Sequence, residues 1–203
     1  MQLEQQWINN AARSRTERDS QRSKVYAAER MAFDGHPVDY PEMKDVLRCV
    51  AHVLKSARVK RSFPILFERD FVIKDGRRAR SATGWASGMS FPREMRKRWV
   101  ILHELAHVIH QREEQALRFD AEMTQLRARK GFFQSHGWRW AEVYLKLVLW
   151  FMGRPAYDAL RKAFKAGRVR HRPPRLMSPE QRAAAAERLK KVRVNAEFFR
   201  RAA

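Results

Sequence analysis

The chain has 203 residues, which is enough for one domain of moderate size with appendages and too few for two full-sized domains. Its hydrophobic content of 44%, with 12 Phe and 6 Trp, excludes a chain that is disordered throughout. The 43 Lys and Arg against 22 Asp and Glu give a formal net charge of +21, which favours polyanionic partners, nucleic acid before an anionic membrane surface.

No segment has the pattern of a secretory signal or of a membrane span. Residues 1–20 contain no continuous apolar stretch, and the most hydrophobic run, 143–152, is interrupted by Lys146 and too short to cross a bilayer. Cys49 is the only cysteine, so an internal disulfide and a cysteine-rich zinc ribbon are both excluded. We therefore expect a soluble protein of the reducing cytoplasm with no membrane partner.

The N-terminal part is predicted to be helical after a polar arm over residues 1–19. A helix over residues 23–33, ended by Asp34-Gly35, is predicted from apolar residues at helical spacing, which are Val25, Tyr26, Ala28, Met31 and Ala32. Pro41 is expected to open a second helix. The apolar stripe of that helix consists of Val46, Leu47, Val50, Val53 and Leu54.

Between residues 63 and 92 the pattern changes to that of short strands. Pro64–Phe67 and Phe71–Ile73 are rich in residues that favour strands, and Asp75-Gly76 is a strong signal for a two-residue hairpin. The return strand would run from Arg78 to Trp85. A last strand over Met89–Phe91 then completes a small antiparallel sheet, directly before a helix over about residues 93–111.

The rest of the chain is predicted to be helical and increasingly basic. Residues 112–130 read as a charged, solvated helix, 137–152 as a helix buried on most sides, and 156–166 as a further helix. After a Pro173-Pro174 linker, Ser178 and Gln181 have the spacing of a capping box for a helix over 179–192. Residues 161–203 contain 14 Lys and Arg against 3 Glu, a surplus of 11.

These features predict three parts: the arm over 1–19, a domain over 20–167, and a basic linker and helix over 168–203. Because short strands lie among longer helices, the expected fold class is α+β and mostly helical. The basic tail has few aromatic residues and no recognisable reading helix, so any contact with nucleic acid would be electrostatic and independent of base sequence.

The segment Val100–Ile109 contains the motif H-E-x-x-H between apolar flanks. His103 and His107 are four residues apart, so a helix places both imidazoles on one face, where they can bind one metal ion. Glu104 stands beside the first imidazole, where a carboxylate can accept a proton from activated water. A carboxylate in an apolar helix is costly unless it is paired or used. The motif therefore favours a zinc site over an ordinary amphipathic helix.

A catalytic zinc ion usually has three protein ligands and a water molecule. His136 is the favoured third ligand because it stands at the start of a buried helix, and Gly137 lets the backbone approach closely. The alternatives that stay open are one histidine and four carboxylates: His110, Glu113, Glu114, Asp120 and Glu122.

Three motifs follow one another: VYAAE at 25–29, WVILHELAH at 99–107 and HGWRW at 136–140. This order resembles the SprT-like zinc metalloprotease domain, and more closely a group of metallohydrolases from actinobacteria and their phages. The resemblance covers about residues 20–190, and its specific parts are the two histidine motifs.

The resemblance implies a zincin-like fold, with the small sheet packed on the H-E-x-x-H helix and zinc bound by His103, His107 and His136. It also implies Glu104 as general base and a peptide or protein as substrate. The gap from His107 to His136 is longer than is usual for SprT-like domains, which keeps Glu122 open as a ligand. The family's cysteine-rich ribbon is absent, so DNA contacts would have to come from basic helices and the tail.

Two functions are therefore predicted. The first is a zinc-dependent hydrolase, a metallopeptidase acting near nucleic acid, in which Glu104 accepts a proton and passes it to the leaving nitrogen. Its substrate would lie extended along a sheet edge at Met89–Phe91, while Tyr144 and Arg139 are expected to be structural. The alternative is a basic nucleic-acid-binding protein whose zinc site is structural or inactive.

Overall fold

The computed structural model describes residues 19–36, 38–117, 132 and 134–173, together with the single positions 178, 181, 184 and 187. The predicted arm before Asp19, the predicted helix beyond Leu117 and most of the basic tail lie outside the described residues. The chain divides into two compact units, Met1–Pro173 and Pro174–Ala203.

The first unit is mixed α+β and mostly helical, with a small three-stranded sheet, which confirms this part of the predicted fold class. Its elements in chain order are α1 (Arg22–Phe33), α2 (Met43–Lys55), α3 (Ala57–Ser62), a 3-10 turn (Pro64–Phe67), β1 (Val72–Asp75), β2 (Thr83–Trp85), β3 (Gly88–Phe91), a second 3-10 turn (Arg93–Met95), α4 (Arg98–Leu117), α5 (Trp138–Phe151) and α6 (Arg154–Ala166). Within the described residues, no helix combines the length and the apolar character needed to cross a bilayer.

Helix α1 has the predicted bounds but a different buried face. Its buried residues are Val25, Ala28, Glu29 and Phe33. Successive members lie three, one and four residues apart, so they form one stripe on the helix. Met31 falls outside this stripe and is 69% exposed, so its assignment to the apolar face is wrong. Glu29, a carboxylate, occupies a core position instead.

The sheet has the order β1-β3-β2, with β3 parallel to β1 and antiparallel to β2. The predicted all-antiparallel meander is therefore wrong. Gly76 does not close a hairpin: its N–H donates to the carbonyl of Phe91, and a Cβ there would meet the backbone N of Pro92 at 2.9 Å. Glycine at position 76 therefore allows the chain after β1 to pass close to the end of β3. The two-residue hairpin lies instead at Ala86-Ser87, between β2 and β3.

This strand order also corrects the predicted substrate edge. Met89–Phe91 belongs to β3, which is the central strand and has a neighbour on each side, so it has no free edge. The edge strand that packs against α4 is β2. Their backbones touch, because a Cβ on Gly84 would come within 2.4 Å of the carbonyl oxygen of Glu104. Only glycine allows this approach.

Helix α4 lies at the centre of the unit. Every residue from Val100 to His110 is buried, and α4 packs against β2 on one side and α5 on another. Helix α5 is buried on most sides, as predicted, and its core residues include Trp140, Tyr144 and Leu147. Helix α1 packs against α6.

Arg112 links α4 to the preceding loops by hydrogen bonds, whereas the sequence pattern predicts this residue in a solvated helix. Its buried guanidinium donates hydrogen bonds to the main-chain carbonyls of Leu66, Arg69, Asp70 and Ala86. Buried carbonyls need donors, and five N–H groups on one side chain supply several at once. The predicted strand at Pro64–Phe67 is wrong: the segment is a 3-10 turn, and Arg112 binds its Leu66 carbonyl.

In the second unit, the predicted capping box is confirmed. The hydroxyl of Ser178 accepts a hydrogen bond from the N–H of Gln181 at 3.2 Å, and the amide oxygen of Gln181 accepts one from the N–H of Ser178 at 3.1 Å. Positions 181, 184 and 187 are helical.

Candidate metal centre

Three buried histidines bring their ring nitrogens together. His103 and His107 lie one turn apart on α4, and His136 lies just before α5. The Nε2 atom of His103 is 3.1 Å from that of His107 and 3.4 Å from that of His136. Among the described His, Cys, Asp and Glu residues, these three form the group whose possible ligand atoms all lie within 4.8 Å of one another. They could hold a metal ion.

Two carboxylates set the orientation of these rings. Glu29 Oε1 lies 2.5 Å from Nδ1 of His103, and Asp19 Oδ2 lies 2.5 Å from Nδ1 of His136. When these rings are neutral, Nδ1–H donates to the carboxylate and Nε2 is left as a lone pair that points into the cluster. Lone pairs at this distance repel each other, so a shared proton or a metal ion is needed between them.

Aromatic rings enclose the cluster. The ring centroid of Trp140 lies 4.7 Å from those of His103 and His136 and 5.2 Å from that of His107. Tyr144 contacts His103 from the core, with centroids 5.5 Å apart. Packing against these rings fixes the imidazoles and lowers the local dielectric constant, which strengthens electrostatic interactions at the cluster.

The histidines differ in charge state because their surroundings differ. Burial acts to lower the pKa of His103, but the charge of Glu29 and the hydrogen bond to it outweigh burial, and the pKa is raised. Burial, reinforced by His103 and His136, holds the pKa of His107 well below its usual range. Burial also lowers the pKa of His136, although Asp19 opposes the shift. Two of the three imidazoles are therefore neutral at pH 7, as a metal ligand must be.

Glu104 lies on α4 between two of these histidines in sequence, with its carboxylate buried. Burial raises its pKa to about 7, an effect that the nearby Glu29 reinforces and that His103 and the N–H of Gly84 reduce. The bond from Gly84 N–H orients the carboxylate and depends on the close approach of β2. The group is therefore able to gain or lose a proton near neutral pH.

The alternative ligands do not join the cluster where the structure describes them. The Nε2 of His110 is bonded to the carbonyl of Phe132 at 2.7 Å, and Glu113 forms a two-bond ion pair with Arg139. Glu114 is not part of the converging group. The last two alternatives, Asp120 and Glu122, lie outside the described residues.

The side chains expected to be structural have structural contacts. Arg139 is bonded to Glu113 and to Glu142. Tyr144 is fully buried, with its hydroxyl 3.3 Å from the carbonyl oxygen of Trp99, and is hydrogen-bonded to Glu29.

Three residues of the site were missed by sequence reasoning. The sequence pattern predicts no role for Glu29 and places Asp19 in the polar arm. Gln21 is buried and donates to the carbonyl of His136 at 2.8 Å, while its amide oxygen accepts from the N–H of Arg170. For Glu29 a signal was available, because a carboxylate on the apolar face of α1 needs a partner. Asp19 and Gln21 carry no comparable local signal.

Comparisons of the chain with models of known protein families, with curated proteins and with solved structures found no match. The function must therefore be inferred from the geometry of the site itself.

Replacing either carboxylate behind the histidines should weaken metal binding. In Asp19→Asn and Glu29→Gln the acceptor loses its charge, so the imidazole is a weaker ligand and its tautomer is less firmly fixed; we expect affinity to fall about 10–100-fold. Competitive titration of the metal-free protein with Zn²⁺ against a chelator measures this. Asp158→Asn is the matched control, since it removes only the exposed pair with Arg154. Equal affinities in all four proteins would contradict the assigned role.

Glu104→Gln should alter how the stability of the metal-free protein depends on pH. The pKa of Glu104 is about 7 in the folded protein, above the ordinary 4.5. The stabilising contribution of protonated Glu104 to the free energy of unfolding is therefore fully present below pH 4.5 and is lost as pH rises through 7. The difference corresponds to about 3 kcal/mol. In urea unfolding we expect the variant to be more stable than the unmodified protein at pH 8 and this advantage to shrink towards pH 5. Parallel stability curves would contradict the raised pKa.

Proposed function

We propose that this protein is a zinc-dependent hydrolase, specifically a metallopeptidase with a zincin-like site. The observation that carries the proposal is the convergence of three buried Nε2 atoms beside the buried carboxylate of Glu104. This combination supplies the ligands of a catalytic metal ion and a base next to it.

The donor set supports zinc. Imidazole nitrogens suit this metal, and the usual Zn–N bond of 2.0–2.1 Å in tetrahedral geometry separates two ligand nitrogens by about 3.4 Å. The distances of 3.1 Å and 3.4 Å from His103 agree with that spacing. Structural zinc sites are closed by four protein ligands, whereas catalytic sites have three. Three converging histidines among the described residues therefore favour catalysis over the alternative of a structural site.

When bound, zinc would supply the Lewis acidity that activates water and polarises a carbonyl group. The part of the chain itself is proton transfer by Glu104. Its carboxylate takes a proton from water as the new C–O bond forms and delivers it to the amide nitrogen as the C–N bond breaks. The pKa of Glu104 is about 7 in the metal-free protein, and a zinc ion nearby would lower it and favour the ionised form that accepts a proton.

Neither β2 nor β3 offers free main-chain groups to a peptide beside Glu104. Strand β3 is central in the sheet, and in the edge strand β2 the groups of Gly84 are already bonded to α4, its N–H to Glu104 and its carbonyl to Gln111. The predicted pairing of a substrate with a sheet edge is therefore not part of the proposal.

The resemblance to SprT-like domains is consistent with the proposal. Its three motifs lie on α1, on α4 and at the start of α5, which are far apart in sequence. Each supplies a side chain to the same cluster: Glu29 from the first, His103, Glu104 and His107 from the second, and His136 from the third.

Glu104→Gln is expected to abolish hydrolysis while leaving metal binding intact. Loss of a general base lowers the rate about 10²–10⁴-fold, so cleavage of casein by the zinc-loaded variant should fall by that factor. Elemental analysis should still find about one zinc per chain, because Glu104 is not a ligand. Glu94→Gln, on the exposed turn before α4, is the control and should cleave normally. Unchanged cleavage by Glu104→Gln would rule out its role as base.

We further propose nucleic acid as a second partner, which the formal net charge of +21 favours. The loop between β1 and β2 adds three exposed arginines, Arg77, Arg78 and Arg80, beside the strand nearest Glu104. Their guanidinium groups can contact phosphates without reading bases.

Binding to DNA of mixed sequence should depend steeply on salt. Six or more phosphate contacts predict a loss of affinity of at least about 10³ between 50 and 200 mM salt, which fluorescence anisotropy can measure. Removal of residues 174–203 should weaken binding and reduce the salt slope. Strong DNA binding together with no metal-dependent hydrolysis would favour the nucleic-acid-binding alternative.

A further inference from the structure

Tyr26 and Arg22 lie one turn apart on α1 and face the histidine cluster, yet the proton transfer described above uses neither. The ring of Tyr26 stacks on that of His103, with centroids 5.8 Å apart and an interplanar angle of 16°. It meets the ring of His136 edge-on at 5.4 Å. Tyr26 is half-buried, so it stands where the cluster meets solvent.

Arg22 holds the phenol from the solvent side. Its guanidinium carbon lies 5.6 Å from the centroid of the Tyr26 ring, and its charge counteracts the rise that burial causes in the pKa of the phenol. The positive charge of Arg22 also contributes to the lowered pKa of His107. Arg22 and Tyr26 therefore interact with each other and with the histidine cluster.

Tyr26 and Glu104 interact electrostatically. The negative charge of Glu104 is one of the influences that raise the pKa of Tyr26, after burial and together with Glu29. A carboxylate that can take a proton from water and a phenol that can donate a hydrogen bond thus both lie beside the ligand histidines. A hydrogen-bond donor assists hydrolysis of an amide, since negative charge develops on the carbonyl oxygen.

Other polar groups near the cluster are already committed. Tyr144 is fully buried and hydrogen-bonded to Glu29, Arg139 is held by two glutamates, and the N–H of Gly84 is bonded to Glu104. Tyr26 differs from these because it is half-buried and is neutral at pH 7 as an ordinary phenol.

We propose that Tyr26 is a further catalytic residue, whose hydroxyl donates a hydrogen bond to the carbonyl oxygen of the substrate, and that Arg22 is a positioning residue that orients this hydroxyl. The proposal rests on the hydrolase function given above. As water oxygen bonds to the carbonyl carbon, the π electron pair moves to the carbonyl oxygen and the proton of water goes to Glu104. Tyr26 keeps its proton throughout. When the C–N bond breaks, the pair returns to form C=O and Glu104 protonates the nitrogen.

The test is Tyr26→Phe, which removes the hydroxyl and leaves the ring against His103. Tyr157→Phe is the matched control, because Tyr157 is also half-buried and also has an arginine, Arg154, 5.6 Å from its ring centroid, but belongs to α6. We expect kcat of Tyr26→Phe to fall about 10²–10³-fold, the effect typical of a lost oxyanion donor, with KM little changed. Zinc content and melting temperature should match those of the control.

Arg22→Gln should act through kcat as well, but less strongly, because the phenol remains and only its orientation is loosened. A rise in KM with kcat unchanged would mean that Arg22 binds substrate rather than positioning Tyr26. That result would overturn the second half of the proposal.

A second readout does not depend on turnover. A phosphonamidate peptide carries an anionic tetrahedral phosphorus in place of the scissile carbonyl, so its oxygen stands for the oxyanion, whereas the parent peptide amide has no such charge. Calorimetry on the zinc-loaded proteins should show that Tyr26→Phe weakens binding of the phosphonamidate about 10²–10³-fold, and that of the parent peptide much less.

The outcomes separate this inference from the proposed function. If the unmodified protein cleaves peptides and Tyr26→Phe equals it in both assays, Tyr26 is not the donor, while the hydrolase function stands. If the unmodified protein is inactive but its binding of the phosphonamidate depends on Tyr26, the anion site stands and the hydrolase function fails. If it neither cleaves nor binds, both proposals are overturned.

Discussion

The hydrogen bond between buried Glu29 and buried His103 is the interaction on which the rest of the site depends. It links α1 to α4, fixes the tautomer of the first imidazole and places the α1 face that carries Tyr26 over the cluster. Asp19 repeats the arrangement for His136, just before α5. A buried carboxylate is costly unless it is paired. Buried Glu29 and half-buried Asp19, both bonded to converging imidazoles, indicate that the polar cluster contributes with packing to how these helices meet.

Helix α4 extends the same constraint to the rest of the unit. It carries a run of polar side chains through the core, and each has a partner from another element: Glu104 the N–H of Gly84, His110 the carbonyl of Phe132, and Arg112 four loop carbonyls. Buried polar groups left without such partners would destabilise the fold. The strand, the turns and the loop are therefore positioned by their bonds to α4, and the glycine at 84 is needed because strand and helix backbones touch.

Local patterns predicted what is local in the structure. The bounds of α1 and α5 follow from periodic apolar residues, and the approach of His103 to His107 follows from i,i+4 spacing. Pairings between distant residues were not available in the same way: Glu29 is 74 residues from His103, and Asp19 is 117 from His136. The hairpin predicted at Asp75-Gly76 is wrong for a related reason. Glycine is required there by a close contact with the end of β3, and the local sequence does not distinguish such a contact from a tight turn.

Binding of one catalytic zinc ion by three histidine side chains can be measured by X-ray absorption at the zinc edge of the stoichiometrically loaded protein. We expect a four-coordinate ion with three imidazole nitrogens at about 2.0–2.1 Å and one further oxygen at a similar distance. In His136→Ala the imidazole signal should be reduced to two rings. A sulfur ligand, an imidazole signal unaffected by that substitution, or failure to bind one equivalent of zinc would contradict it.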